Sequence, residues 1–202
     1  MSAQSHGPTP RRLVVGISGA SGPQLGVRMV EVLREHTDVE VHVILSRGAR
    51  ATIAYETDRD PDEVLSLAHV VHDERNLAAS IASGTFVTDG MVMAPCSVKT
   101  LSAVANSFND NLLVRAADVC LKERRPLVLL VRETPLHLGH LRLMAQATEQ
   151  GAVVLPPVMA FYHRPATVQE LVDHTVVKTL DQFGIHLDLV RRWDGPEAPQ
   201  GT

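Results

Sequence analysis

Residues 13–22 read Leu-Val-Val-Gly-Ile-Ser-Gly-Ala-Ser-Gly. An apolar run with three β-branched residues (Val14, Val15, Ile17) leads straight into a turn of glycine and serine. Pro23 and a helical period of Leu25, Met29, Val32 and Leu33 follow it. Apolar residues without polar alternation mark a strand covered on both faces. Proline suits the first turn of a helix, and glycines let the backbone approach a ligand at the helix's positive end. Strand, glycine turn and helix together form the opening unit of a doubly wound sheet. By itself the turn is equally consistent with a tight connection capped by serines.

Working outward, the alternation recurs. Strand-like runs occupy residues 41–45 (VHVIL), 91–94 (MVMA), 127–131 (LVLLV) and 153–155 (VVL), with a weaker one at 70–72. Between them Leu112, Leu113, Ala116, Ala117, Cys120 and Leu121 share one helical face. A further helix over 138–150 is stopped by Gly151, and Pro126 marks the entry to the fifth strand. This pattern predicts an α/β fold: a doubly wound, mostly parallel sheet of about six strands with helices on both faces, Rossmann-like.

Composition narrows the classes of function. The 202 residues carry 19 Lys and Arg against 23 Asp and Glu, which leaves no footprint for nucleic-acid binding. Only 3% are aromatic, so the core must be aliphatic. Cys96 and Cys120 are too few for a disulfide framework and suit a reducing cytoplasm. No apolar run approaches bilayer-spanning length, and residues 1–10 lack the apolar segment of a signal peptide. Residues 1–10 and 194–202 are expected to be disordered tails flanking one α/β domain over 11–193.

In such folds ligands bind beyond the carboxyl ends of the strands. The first junction offers Gly19, Ala20 and Ser21, with Ser18 beside them. Ser46 closes the second strand, where a plain capping role is by itself the stronger reading. Ser97, Val98, Lys99 and Thr100 open a helix after the fourth strand and look like a second clamp on one ligand. Arg132 and Glu133 end the fifth strand, followed by Thr134 and Pro135 as an expected N-cap and first helical residue. Arg115 and Lys122 lie seven apart on one helical stripe, with Asp118 between them. Phe161 and Tyr162 share an apolar loop. His137 and His140 are spaced i, i+3 without the glutamate pattern of zinc hydrolases, so no metal site is expected.

Taken together, GISGASG (16–22), PCSVKT (95–100), RAADVCLKERRPLVLLVRETP (115–135) and PPVMAFYHRP (156–165) resemble the UbiX-type flavin prenyltransferases. These belong to the wider superfamily of homo-oligomeric flavin-containing cysteine decarboxylases. The resemblance implies a transferase that joins a dimethylallyl group from dimethylallyl phosphate to N5 and C6 of reduced FMN without a metal. The prenylated FMN formed serves a partner decarboxylase. It implies a cytoplasmic homo-oligomer, a dodecamer in many relatives, with active sites shared between subunits. By matching position, Gly19, Ala20, Ser21, Ser46, Ser97, Val98, Lys99, Thr100 and Arg132 contact FMN. Arg115, Lys122, Glu133, Tyr162, Lys178 and Trp193 serve the dimethylallyl phosphate, and Ser21, Glu56 and Glu133 handle protons and orientation. Two departures stand out: Leu25 replaces a frequent tyrosine, and Lys178 stands where arginine occurs, keeping charge but losing the bidentate grip. The rivals are a flavin-dependent cysteine decarboxylase and a non-catalytic flavin carrier subunit. The first carries an Asn-containing clamp where PCSVKT stands, and the second has no need of the cationic set.

Overall fold

The computed structural model describes residues 10–195, so most of both expected tails lies outside the described residues. Six strands form one parallel sheet in the order β3-β2-β1-β4-β5-β6. They are β1 (Arg12–Ile17), β2 (Glu40–Leu45), β3 (Val70–Asp73), β4 (Gly90–Cys96), β5 (Leu127–Val131) and β6 (Val153–Val154). The four central strands are buried along nearly their whole length, as the unbroken apolar runs require, and the short β3 and β6 form the edges.

Side chains alternate between two cores. Leu13, Val15, Ile17, Val41, Val43, Val92 and Val128 face one of them. Covering that face are α1 (Gln24–His36), α2 (Arg47–Glu56), α3 (Pro61–Ser66) and α7 (Val168–Leu180). Val14, Ile44, Met91, Met93, Leu127 and Leu129 face the other core, under α4 (Val98–Ala105), α5 (Leu112–Lys122) and α6 (Leu138–Glu149). Each large aliphatic side chain removed from water contributes about 1.5–3 kcal/mol, so the two layers hold the sheet without a staple. Helix α1 lies so close to the sheet that a Cβ on Gly26 would stand 2.1 Å from the Ala94 carbonyl oxygen.

The fold matches the doubly wound expectation, and some boundaries move. Strand β4 runs through Pro95 to Cys96, two residues beyond the predicted end. Proline has no N–H for the ladder, and the pairing with β5 is irregular between Met93 and Cys96. Thr134 and Pro135 do not start α6; the peptide between them is cis. The cap is His137, whose Nδ1 accepts from the Gly139 amide at 3.0 Å. Helices α2, α3 and α7 were not legible from the periods quoted above. In α2 only Ala49 and Ile53 are buried, and in α3 only Val64 and Leu65.

Candidate active site

The strand order reverses at β1, whose neighbours are β2 on one side and β4 on the other, and the crevice opens there. One hydroxyl stitches its two walls. Ser18 is buried; its Oγ donates to the Pro95 carbonyl at 2.9 Å and accepts from the Ser97 amide at 2.8 Å. Ser18 therefore builds the site and is not available to a ligand. On the β2 side, Gly19 meets Gly48 so closely that a Cβ on Gly19 would lie 2.8 Å from the Gly48 Cα. Only glycine permits that approach, which keeps the crevice floor clear of side chains.

Above the strand ends lies a cleft of about 730 Å³, lined among others by Gly19, Ser46, Gly48, Ser97, Lys99 and Thr100. That volume is within the range of sites for cofactor-sized ligands. The helix starts around it differ. At α2, Ser46 Oγ accepts from the Ala49 amide at 2.9 Å and the Glu74 carboxylate from the Arg47 amide at 3.0 Å. At α4, Ser97 Oγ accepts from the Thr100 amide at 3.3 Å and bonds Thr100 Oγ1 at 3.0 Å. The amides of Val98 and Lys99 have no partner among the described residues. Open N–H groups, two hydroxyls and the Lys99 ammonium at a helix N-terminus suit a phosphate monoester such as that of FMN. The donor set and the glycine-floored cleft fit FMN.

The predicted proton-handling residues divide. Ser21 and Glu56 meet across 35 residues of sequence: Ser21 Oγ donates to Glu56 Oε2 at 2.9 Å, and the Gly22 amide donates to the same oxygen at 2.8 Å. Glu133 stands apart and exposed, its Oε1 accepting from the Thr134 amide at 2.9 Å. Arg132 is held beside the β4 end through its amide, which donates to the Cys96 carbonyl at 3.0 Å, while its side chain is exposed. Cys96, next to the clamp, is wholly buried, and burial pushes its thiol up to about 12, so it is no nucleophile.

The substrate set does not assemble within one chain. On α5, Arg115 Nε donates to the Ala82 carbonyl at 3.1 Å and its NH1 pairs with Asp118 at 3.2 Å. Lys122 pairs with Glu123. Tyr162 and Trp193 line a separate cavity of about 420 Å³, with His163, Arg164, Arg191 and Arg192, that shares no lining residue with the first. Their rings meet edge to face at 5.8 Å. The segment that carries Trp193 is tied down by Arg192, whose two terminal nitrogens bond the Asp181 carboxylate at 2.9 Å each. Lys178 is exposed on α7, one turn beyond His174.

Two groups of cleft residues escaped the sequence reading. Arg47, Arg50, Asp73, Glu74 and Asn111 line it from α2, the β3 end and the start of α5. His72 also lines it, and its Nε2 lies 2.9 Å from Nδ1 of the buried His42, whose Nε2 lies 2.8 Å from Glu40. A histidine within VHVIL was the available signal, since an apolar strand buries such a ring only with partners. Among the described residues no three His, Cys, Asp or Glu side chains group to hold a metal, and no helix is long and apolar enough to cross a membrane.

Comparison with known proteins agrees with this geometry. Residues 1–180 match the Flavoprotein family. The chain is 60% identical over 187 residues to the flavin prenyltransferase UbiX of Escherichia coli strain K12, covering 92% of this chain and 99% of that one. It is also 60% identical over 186 residues to the UbiX of Thauera aromatica, covering 92% and 95%. Among solved structures, AnUbiX (PadA1) in complex with FMN and dimethylallyl pyrophosphate superposes with a TM-score of 0.92 at 46% identity, over 94% of this chain and all of that one. A dodecameric FMN-dependent UbiX-like decarboxylase from Escherichia coli O157:H7 gives 0.89 at 45%, over 91% and 100%. The peptidyl-cysteine decarboxylase EpiD, at 17% identity and a TM-score of 0.58, shares the fold alone. With its crevice, its clamp and these relatives, the chain belongs to the UbiX-type flavin prenyltransferases of the Flavoprotein family.

Proposed function

We propose that this protein transfers the dimethylallyl group of dimethylallyl phosphate to N5 and C6 of reduced FMN, giving prenylated FMN for a partner decarboxylase. The observation that carries this is the convergence of Gly19, Ser46, Ser97, Lys99 and Thr100 on one cleft, with the Ser21–Glu56 pair fixed on the same first turn. Gly19, Ala20 and Ser21 hold FMN from one side, and Ser46, Ser97, Val98, Lys99, Thr100 and Arg132 from the others. Bound reduced FMN supplies the electron-rich nitrogen and carbon that the prenyl group joins. Arg115, Lys122, Lys178 and the Tyr162 hydroxyl stabilise the negative charge that grows on the departing phosphate. Trp193 covers the prenyl pocket and excludes water. Glu56, oriented by Ser21 and the Gly22 amide, and Glu133 are placed to hold or accept the proton lost in ring closure.

Because Arg115, Tyr162 and the FMN clamp stand apart in one chain, the complete site is shared between subunits of a homo-oligomer, for which a dodecamer is the size to expect. Exposed apolar side chains such as Leu138, Val158, Met159 and Phe161 are suited to such contacts. The domain spans residues 11–193, and the two free, buried cysteines suit a cytoplasmic location.

The decisive assay incubates the protein anaerobically with reduced FMN and dimethylallyl phosphate, without metal, and takes a mass spectrum of the extracted flavin. A five-carbon gain is expected. Unchanged FMN under conditions where a known prenyltransferase works would leave a flavin carrier or a cysteine decarboxylase as the better description.

A further inference from the structure

Tyr162 makes one polar contact with α7 that the proposed mechanism does not use. Tyr162 Oη lies 2.7 Å from His174 Nε2, and the two rings meet edge to face at 5.6 Å and 78°. His163 stacks flat on His174 at 4.9 Å and 7°, and is itself edge-on to Tyr162 at 5.4 Å. With Trp193 on a further side, the phenol is held by three rings, yet it remains 52% exposed at the mouth of the cavity it shares with Arg164 and Arg192. Three contacts fix where the ring lies. Among the described residues the hydrogen bond recorded for its oxygen is the one to His174.

A phenol hydroxyl has one proton to give. If Tyr162 donates to His174, its oxygen offers only lone pairs to the cavity, which repel a phosphate. If His174 carries the proton on Nε2 and donates to the phenol oxygen, the Tyr162 proton is released to a phosphate oxygen. Burial, reinforced by the charges of His163 and Lys178, lowers the pKa of His174 and keeps the ring neutral near pH 7, so that both tautomers are accessible. Lys178 lies one turn along the same face of α7, near enough for its charge to act on His174.

We propose that His174 is a positioning residue for prenyl transfer: by donating Nε2–H to Tyr162 Oη it directs the tyrosine proton at a phosphate oxygen of the dimethylallyl donor. This rests on the functional assignment above and on Tyr162 meeting that phosphate. His174 is not among the residues that line the cavity and acts only through Tyr162.

The test uses the full-length protein with His174→Ala, His174→Gln, Tyr162→Phe and the double variant Tyr162→Phe/His174→Ala. FMN affinity and anaerobic transfer kinetics with dimethylallyl phosphate are measured for each. His174→Ala is expected to lose roughly ten-fold in kcat/KM for the donor, mostly in kcat, with FMN affinity unchanged. Glutamine can donate from its amide and should recover to within about three-fold of wild type. In the Tyr162→Phe background His174→Ala should cost nothing more. Additive losses, glutamine as poor as alanine, or a Tyr162→Phe variant with wild-type donor kinetics would each overturn the proposal while wild-type transfer upholds the enzyme's function. A wild-type protein that transfers no prenyl group would overturn both.

Discussion

At Gly19 the missing side chain decides the site. A Cβ there would press against the Gly48 backbone, 2.8 Å from its Cα, so one of the two turns framing the cleft would have to move. Gly19→Ala is expected to weaken FMN binding at least ten-fold while costing about 1–3 kcal/mol of stability, read by flavin fluorescence quenching and urea unfolding. Glu56 is a different case, since its carboxylate both orients Ser21 and holds the Gly22 amide. In Glu56→Gln the amide oxygen can still accept from Gly22, so the turn and FMN affinity should survive. Prenyl transfer should fall by about 100-fold, as for loss of a general acid–base group. A mutant with wild-type turnover would remove Glu56 from the chemistry. The clamp residues were readable in the sequence because each stands at a strand end or helix start that the apolar pattern locates. Ser18 was readable only as a hydroxyl; that it bonds to Pro95 and Ser97, about 77 residues away, follows from the pairing of β1 with β4.

At the level of elements, α1 packs against the sheet with no room to spare at Gly26. A methyl at Gly26 would meet the Ala94 carbonyl oxygen at 2.1 Å and Ile17 Cδ1 at 2.7 Å. Gly26→Ala is therefore expected to lose 2 kcal/mol or more in urea unfolding, by forcing apart α1 and the β1–β4 pair, although alanine is the better helix former. The central strands were legible because burial on both faces leaves nothing polar in them. The α2–α3 segment was not, since a helix that buries only two residues carries almost no period. The start of α6 at Leu138 was legible but its cap was not: Thr134–Pro135 has the letters of a helix start, and a histidine three residues on supplies the cap instead.

For the molecule as a whole, sequence order could not say which groups meet. The proposed flavin clamp gathers at one cleft within the chain, whereas Arg115 and Lys122 on α5 line neither that cleft nor the separate Tyr162–Trp193 cavity. Stability against acid is also a property of the whole. Burial lowers the pKa of His42, His72 and His174. The unfolded chain then binds protons that the folded one refuses. Their contribution is intact above the ordinary histidine value near 6.5 and is lost as pH falls from there through the lowered folded values. Thermal unfolding should show Tm declining as pH drops below about 6.5. His42→Gln should flatten that decline, because the most buried of the three no longer titrates.

The most direct test of the whole account is a crystal structure of this protein grown with FMN. The FMN phosphate should lie against the Ser97, Val98, Lys99 and Thr100 helix start, with the nucleotide passing the Gly19–Ala20–Ser21 turn. FMN bound elsewhere, with that cleft empty, would contradict it.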